Sequence, residues 1–208
     1  MLSINSVRFN TSEWTLLEES DERILWKNEM FNRLSLHFFP ISPDLPVKLS
    51  ALTDLRNFYR ENVIQVGGGL VSVDVFSVKN IPTVKTILKF PQKPTGMRYL
   101  GSLTFPFAQF SYVIKVDCRE QGITGTRDTL VSMLMRQKFE ANNPNQGWFE
   151  DPYDPTRRDP IMRNKSEDEQ YDIQFSDHPL SQVRKYINDI QASLEFSEDI
   201  LRADPFDK

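Results

Sequence analysis

Cys118 and the two histidines are the side chains of this sequence whose types could carry nucleophilic catalysis. A cysteine nucleophile needs a base within hydrogen-bond reach, and His37 or His178 could complete such a pair. Cys118, however, alternates along a predicted strand with apolar residues that begin at Phe110, and a thiol among apolar neighbours stays protonated. The pattern therefore favours a buried structural cysteine. A small enzyme that uses Cys118, or a carboxylate such as Asp117, is one alternative function.

A second candidate site is the loop Gly122–Arg127, which joins a predicted strand to the start of a predicted helix. Backbone N–H groups at a helix N-terminus can hold an anion, so Gly125, Thr126 and Arg127 are the candidate anion-binding residues. The loop lacks the spacing and the lysine of a P-loop, and it is not a dinucleotide fingerprint. A tight turn is the favoured interpretation, because glycine readily adopts positive φ. Binding of an anion or small ligand at this loop is the other alternative function.

A cluster of carboxylates late in the sequence is the nearest approach to a metal site. Calcium is bound by clustered carboxylates, but this spacing differs from that of an EF-hand loop. Two arginines lie within the cluster, which favours a solvated run of charge. No group of cysteines and histidines has zinc spacing, so neither a metal nor a cofactor is predicted. The acidic residues are Glu150, Asp151, Asp154 and Asp159.

The segment 142–175, called the arm below, is rich in proline, asparagine and charge. A connection longer than ~15 residues without secondary structure is unusual in a compact domain and is often functional. Its aromatic residues argue against simple disorder. Because large aromatic side chains concentrate binding energy, the arm is predicted to form or border a recognition surface, with arginines at the rim. The candidate partner-binding residues are Trp148, Phe149, Tyr153, Arg157 and Arg158.

The elements that position these residues are organised around a hairpin and helix predicted over residues 98–137. Side chains of a strand point alternately to two faces, so each strand divides into an inner and an outer set. The inner set comprises Tyr99, Gly101, Leu103 and Phe105, followed by Phe110, Tyr112, Ile114, Val116 and Cys118. The outer set of the second strand comprises Ser111, Val113, Lys115 and Asp117. The helix is predicted over residues 126–140.

Alternation also predicts strands at 14–19, 23–27, 33–39, 70–78 and 83–90. Helical spacing predicts a helix at 50–66, which ends at Gly67. We expect the side chains of Trp14, Leu16, Ile24 and Trp26 to point inward, with both tryptophan rings buried under the hairpin. In the strand 83–90, Lys85 and Lys89 fall opposite an inward set that comprises Val84, Thr86, Leu88 and Phe90.

The last predicted element is an amphipathic helix at 178–195, with Asp177 or His178 as its cap. Its apolar stripe covers about two heptads, which is short for a coiled coil. We expect the stripe to pack on the body of the same chain, with a second subunit or another protein as the alternative. The stripe comprises Leu180, Val183, Ile187, Ile190 and Leu194.

Length and composition exclude several classes of protein. The chain has 208 residues and a net charge of −4, with no long basic run, which argues against nucleic-acid binding. No apolar stretch approaches the ~20 residues that span a bilayer, so no membrane association is predicted. A single cysteine allows no internal disulfide and fits a reducing compartment. With no signal peptide recognised at the N-terminus, we expect a cytoplasmic protein.

The order of elements resembles the Mog1/PsbP-like α+β sandwich. The resemblance rests on WTLLEESDERILWKNE, RLSLHFFP, DLRNFYRENV, FSYVIKVDC and GTRDTLVSMLM. It implies an antiparallel sheet covered by helices, in a protein that acts as an accessory factor, chaperone or binding module without catalysis. The arm and the last helix depart from that pattern.

The sequence therefore predicts an α+β fold with an antiparallel sheet of six or seven strands covered by helices. Residues 1–140 are expected to form the sandwich domain, and residues 141–208 an extended arm plus a C-terminal helix. The favoured function is a noncatalytic binding or accessory module, chaperone-like in character. Its expected partner is another protein or a second copy of the chain in a homodimer.

Overall fold

A computed structural model describes residues 2–136, 147–159 and 161–206 of the chain. The strands are β1 (Val7–Arg8), β2 (Thr15–Glu19), β3 (Arg23–Lys27), β4 (Arg33–Phe39), β5 (Gly69–Val78), β6 (Ile81–Pro91), β7 (Met97–Pro106), β8 (Ser111–Arg119) and β9 (Glu195–Phe196). The α-helices are α1 (Leu52–Gln65), α2 (Thr126–Arg136), α3 (Pro179–Ser193) and α4 (Glu198–Leu201), and short 3-10 turns include Lys165–Glu167 and Glu169–Tyr171.

The predicted α+β class is confirmed by a seven-stranded sheet in the order β2-β3-β4-β8-β7-β6-β5, with every neighbouring pair antiparallel. Alternating and helical patterns located its strands and α1 to within a few residues. The second sheet, β1 with β9, was not predicted, because two-residue strands carry no periodicity. The boundary predicted at residue 140 and the end of the helix predicted at 126–140 lie outside the described residues.

The inner face of the sheet is covered mainly by α3, whose predicted apolar stripe is fully buried. Helix α3 contacts β7 and β8, so the stripe packs on the body of the same chain. At Gly101 a Cβ atom would lie only 2.5 Å from a methyl carbon of Val183, and glycine lets the helix approach this closely. The inner set predicted for the hairpin, from Tyr99 to Cys118, is buried as expected.

The outer face of the sheet is only partly covered. Helix α1 packs over β5 and β6, where Leu55 and Val63 join Leu70, Val73 and Val84 in a small second core. The remaining strands of this face, β3, β4, β8 and part of β7, carry half-buried and exposed side chains. The sandwich is therefore closed on one side and open on the other.

The prediction for the two tryptophans needs correction. Trp14 and Trp26 pack against the edge of the core and are half-buried, and Leu16, predicted to point inward, is 50% exposed. Trp14 meets the ring of Tyr186 on α3 at 5.0 Å, and Trp26 meets Phe9 at 5.8 Å. The reason is the place of these rings at the sheet edge: Trp14 precedes β2, which has a single neighbouring strand, and Trp26 on β3 lies opposite Leu16 of that edge strand.

The arm is docked along the opposite sheet edge, strand β5. The hydroxyl of Tyr153 accepts from the Val73 N–H at 2.6 Å and donates to the Val73 carbonyl at 3.0 Å. Asp151, buried, accepts from both Nε and Nη2 of Arg60 on α1, at 2.5 and 2.7 Å. The arm thus supplies hydrogen bonds that an edge strand would otherwise leave open.

A buried ion pair fixes the second half of the arm to the inner face. The Lys89 ammonium donates to both carboxylate oxygens of Glu167 at 2.9 Å, and each side chain is 1% exposed. Glu167 also accepts from the Tyr99 hydroxyl at 2.7 Å and from the Asn164 N–H at 2.8 Å. Lys89, which the pattern placed opposite the inward set of its strand, is therefore a core residue with its own counter-charge.

Replacing Glu167 by alanine tests this ion pair. Glu167→Ala leaves the Lys89 ammonium buried without a counter-charge, which typically costs about 3–5 kcal/mol of unfolding free energy. We expect urea denaturation, followed by tryptophan fluorescence, to show a loss of that size. Glu198→Ala is the matched control, because it breaks an exposed pair with Arg202, and exposed pairs contribute about 0–1 kcal/mol. Equal losses in the two variants would contradict the role given to Glu167.

Candidate binding cleft

The structure does not join Cys118 to a catalytic base within the described residues. Cys118 is buried, and burial, followed by the nearby charge of Asp117, raises the pKa of its thiol. His37 lies on the outer face, where it hydrogen-bonds Ser35 at 3.0 Å. His178 caps α3, and its ring lies against Tyr99 with centroids 5.4 Å apart. This thiol is a core side chain, as the alternation of β8 favoured.

Both histidines are held neutral by their surroundings. Burial, followed by the charges of Lys115 and Arg23, lowers the pKa of His37 to about 4. Burial, followed by the charges of Arg127 and Arg184, lowers the pKa of His178 to about 3, although the Glu120 carboxylate lies 3.7 Å from its Nε2. The neutral form of His178 is also required structurally, because its Nδ1 accepts from the Leu180 N–H at the start of α3.

The donors of the loop Gly122–Arg127 are used within the chain. The Gly125 N–H donates to the carboxylate of Glu120 at 2.8 Å, so an internal anion occupies the position considered for a ligand. Arg127 is buried and donates to the Ser166 carbonyl at 2.6 Å and to the Ser181 hydroxyl at 2.8 Å. Thr126 donates to the Ile123 carbonyl at 3.3 Å. Arg127 therefore holds the arm to α2 and α3, and it is not directed at solvent.

The candidate partner-binding residues of the arm fall into two groups. Tyr153 is engaged with β5, and the Arg56 guanidinium lies 3.6 Å from its ring centroid. Arg157 pairs with Glu61 at 2.8 Å and Arg158 with Glu150 at 2.5 Å, so both arginines have counter-charges. Trp148 is half-buried and Phe149 is exposed. A partner-binding role for these residues stays a prediction. Phe149 is the most suitable of them, because its side chain is exposed.

Metal binding gains no support from the acidic cluster. Asp151 is bound to Arg60, Glu150 to Arg158, and Asp154 accepts from the Thr156 N–H and hydroxyl. Across residues 2–136, 147–159 and 161–206, no group of three or more histidine, cysteine or carboxylate side chains could hold a metal ion.

Strand pairing gathers a basic surface on the open part of the outer face. In an antiparallel pair, residues opposite each other project to the same face, so the register identifies the members of this surface. Arg33 lies opposite Asp117, Leu25 opposite Ser35, and Arg98 opposite Arg119. The basic residues of this face are Arg23, Lys27, Arg33, Arg98, Lys115 and Arg119. Its carboxylates are those of Glu18, which pairs with Arg23, and Asp117.

A cleft of about 590 Å³ lies at one end of this basic surface. Two carboxylates line the cleft. Asp117 makes only long contacts, 3.4 Å to Arg98 and 4.0 Å to Arg119, and Glu120 accepts from the Met97 and Gly125 N–H groups. Arg33 and Lys93 line the same cleft and form no ion pair with a described residue. Positive charge therefore exceeds negative charge in the cleft, which attracts anionic groups. The charged residues that line the cleft are Arg33, Lys93, Arg98, Arg119, Asp117 and Glu120, with the rings of Phe90 and Phe31 beside them.

Phe31 presents an aromatic ring beside these charges. Its side chain is 75% exposed, and its backbone has φ of 60°, a conformation that is costly for a bulky residue. The turn is held by its neighbours, because Asn28 Oδ1 accepts from the Asn32 N–H at 3.0 Å and Gln121 donates to the Met30 carbonyl at 2.5 Å. Strain that is maintained by surrounding contacts is characteristic of functional positions.

Comparison with known proteins gives structural neighbours. No family model matches the chain, and no curated protein matches it in sequence. Cyanobacterial PsbP (CyanoP) from Synechocystis sp. PCC 6803 is similar at 10% identity and a TM-score of 0.39, over 64% of this chain and 83% of that one. LpqN, involved in cell envelope biogenesis of Mycobacterium tuberculosis, is similar at 10% identity and a TM-score of 0.33, over 63% of this chain and 78% of that one.

A protein from Bacteroides thetaiotaomicron VPI-5482 is similar at 9% identity and a TM-score of 0.37, over 58% of this chain. The match spans 41% of the Bacteroides protein, well under two thirds of its length. PsbP and LpqN have the Mog1/PsbP-like fold, which the order of elements resembled. All three TM-scores lie below 0.5, so these neighbours support no statement about what this chain does. No helix in the described part of the chain is long and apolar enough to cross a membrane.

The low pKa of His178 predicts how stability depends on pH. Between its ordinary pKa of 6.5 and about 3, the unfolded chain binds a proton at this position that the folded chain does not. The unfolding free energy therefore falls as the pH drops below 6.5, by about 2 kcal/mol from this group between pH 7 and pH 5. His178→Asn retains an acceptor for the cap without titrating, so we expect a smaller loss in that variant. Chemical denaturation of both proteins at the two pH values measures the difference. Identical losses of unfolding free energy would contradict the role given to His178.

Proposed function

We propose that this protein is a noncatalytic binding module, an accessory or chaperone-like protein, whose basic cleft takes an acidic segment of a partner protein. The observation that supports this most directly is the charge imbalance of the cleft. Asp117 is shared by Arg98 and Arg119 at long distances, and Arg33 and Lys93 lie beside them and form no close ion pair with a described residue. Carboxylates of a partner would supply the missing negative charge.

The geometry favours an extended peptide over a compact anion. The basic residues follow neighbouring strands across the open face, from Arg23 on β3 to Arg98 on β7. A small anion could contact only a few of them, whereas a peptide with several carboxylates could follow the row. Charge complementarity of this kind raises the association rate and selects the partner more than it raises affinity, and it weakens with salt.

Two aromatic rings add an apolar component to the cleft. Phe90 is half-buried, with the Arg98 guanidinium 5.1 Å from its ring centroid, and Phe31 is exposed at the margin. Aromatic and arginine side chains carry a large share of binding energy at protein interfaces. The expected partner segment therefore combines acidic residues with apolar or aromatic ones.

Peptide binding tests this proposal. The probe is a fluorescein-labelled synthetic peptide of glutamate, leucine and phenylalanine, and its partner probe has glutamine at every glutamate position. We expect fluorescence anisotropy to show binding of the acidic peptide that weakens with added salt, and much weaker binding of the glutamine peptide. Arg33→Glu and Arg119→Glu should each weaken binding by about tenfold, equivalent to about 1.4 kcal/mol.

Arg202→Glu is the control, because Arg202 is exposed outside the cleft and pairs with Glu198 across one helical turn. Equal weakening by Arg202→Glu would mean that net charge alone drives binding, and the cleft would be discarded. A single-stranded oligonucleotide could instead bind more tightly than the acidic peptide and lose binding in the same cleft variants. That result would identify a nucleic acid, and not a protein, as the partner.

A further inference from the structure

The two edges of the main sheet are treated differently by the rest of the chain. The β5 edge is occupied by the arm, since the Tyr153 hydroxyl bonds both backbone groups of Val73, and the Arg56 guanidinium also donates to the Val73 carbonyl, at 3.2 Å. A Cβ at Gly69 would lie 1.9 Å from the carbonyl oxygen of Ile161, so the arm crosses the start of β5 in direct contact. The arm therefore covers the start and the middle of this edge.

The opposite edge, β2, is open. Strand β2 pairs with β3 on one side, and no strand within the described ranges pairs with it on the other. All five of its residues are exposed, and Leu16 and Leu17 are 50% and 48% exposed. An exposed edge strand with apolar side chains is a template for pairing with another extended chain.

The charges around β2 select what kind of chain could pair there. The carboxylates of Glu13, Glu19, Asp21 and Glu22 are exposed and form no ion pair with a described residue. Glu18 pairs with Arg23 at 2.6 Å, and Lys27 lies opposite Thr15 on the neighbouring strand, so carboxylates outnumber cations around β2. A second copy paired through β2 would place these carboxylates close to one another. Like charges on facing strands repel, so this pairing is disfavoured. A basic strand would neutralise them.

A pocket at the start of β2 adds a recognition element for a cation. Two clefts of about 450 and 360 Å³ meet at Trp14 and Tyr186, whose rings form an edge-to-face pair. Carboxylates of Glu13 and Glu29 line the first cleft, and that of Asp189 lines the second. Aromatic faces beside carboxylates bind ammonium and guanidinium groups through cation–π attraction.

The chain itself provides an example of this contact. The Lys185 ammonium lies 5.0 Å from the centroid of the Tyr186 ring while it pairs with Asp189 at 2.9 Å. Glu13 lies within electrostatic range of Lys185, but no cation of the described residues lies over the Trp14 ring between Glu13 and Glu29.

We propose that the β2 edge binds an extended basic segment of another protein as an added strand, with a lysine or arginine side chain in the pocket of Trp14. Backbone hydrogen bonds along β2 would supply affinity, and the carboxylates together with the pocket would supply selectivity. This surface is distinct from the basic cleft and takes a ligand of opposite charge, so it stands independently of the function proposed above.

The test uses the full chain and a synthetic peptide in which lysine alternates with threonine and valine. Two further probes have glutamate in place of lysine, or proline at alternate positions so that backbone N–H groups are lost. We expect the lysine peptide to bind, to quench or shift tryptophan fluorescence, and to protect the backbone amides of β2 from hydrogen exchange. Neither of the other two peptides should do so.

Charge reversal on the edge identifies the residues responsible. Glu13→Lys and Glu19→Lys should each weaken binding of the lysine peptide by about tenfold, because both side chains are exposed at this edge. Glu198→Lys, an exposed acid on α4, is the matched control and should leave binding unchanged.

Three results would overturn the inference. Equal binding of the proline peptide would contradict binding by strand addition. Amide protection confined to residues outside β2 would show that the peptide binds elsewhere. Protection of β2 amides that rises with protein concentration in the absence of peptide would identify a second copy of the chain as the occupant.

Discussion

The buried pair of Lys89 and Glu167 is the constraint on which the arrangement of the chain depends. Placing two charges in the core costs several kcal/mol of desolvation each, and that cost is offset only when their geometry and hydrogen bonds are complete. Here Tyr99 and the Asn164 N–H complete the shell of the carboxylate. Because Glu167 is supplied by the arm, the sheet can bury Lys89 only when the arm is docked. The described part of the arm thus belongs to the folded core.

Docking the arm also decides which surfaces remain for binding. It closes the β5 edge through Tyr153, while Arg127 and α3 secure its second half over the inner face. The open part of the outer face and the β2 edge are left without cover by the described residues. The open part of the outer face carries an excess of cations around Asp117, and the β2 edge carries an excess of carboxylates around Glu19. Both surfaces remain exposed because the arm forms its polar contacts elsewhere on the sheet.

Local patterns predicted most of the elements, because alternation and helical spacing are local properties. The inner set of β8 and the stripe of α3 were correct for that reason. Features that depend on distant residues were not predictable: Lys89 is buried by a carboxylate 78 positions away, and Trp14 is half-exposed because β2 lies at an edge. Arg127 was considered for an anion, and its partners came from the arm, where spacing gives no signal. The basic cleft was missed because its residues are contributed by separate strands.

The register of the strands therefore identifies a charged surface that the overall composition does not reveal. A net charge of −4 without a basic run describes an unremarkable chain. Pairing of β4, β7 and β8 brings Arg33, Arg98 and Arg119 around one carboxylate, although they are far apart in sequence. The same outer set of β8, Val113 to Asp117, was visible as an alternating pattern, but its neighbours were not. A one-residue slip of β4 or β8 would move these charges to the inner face, where burial would be prohibitive. The charges that mark the cleft thus also specify the pairing that builds it.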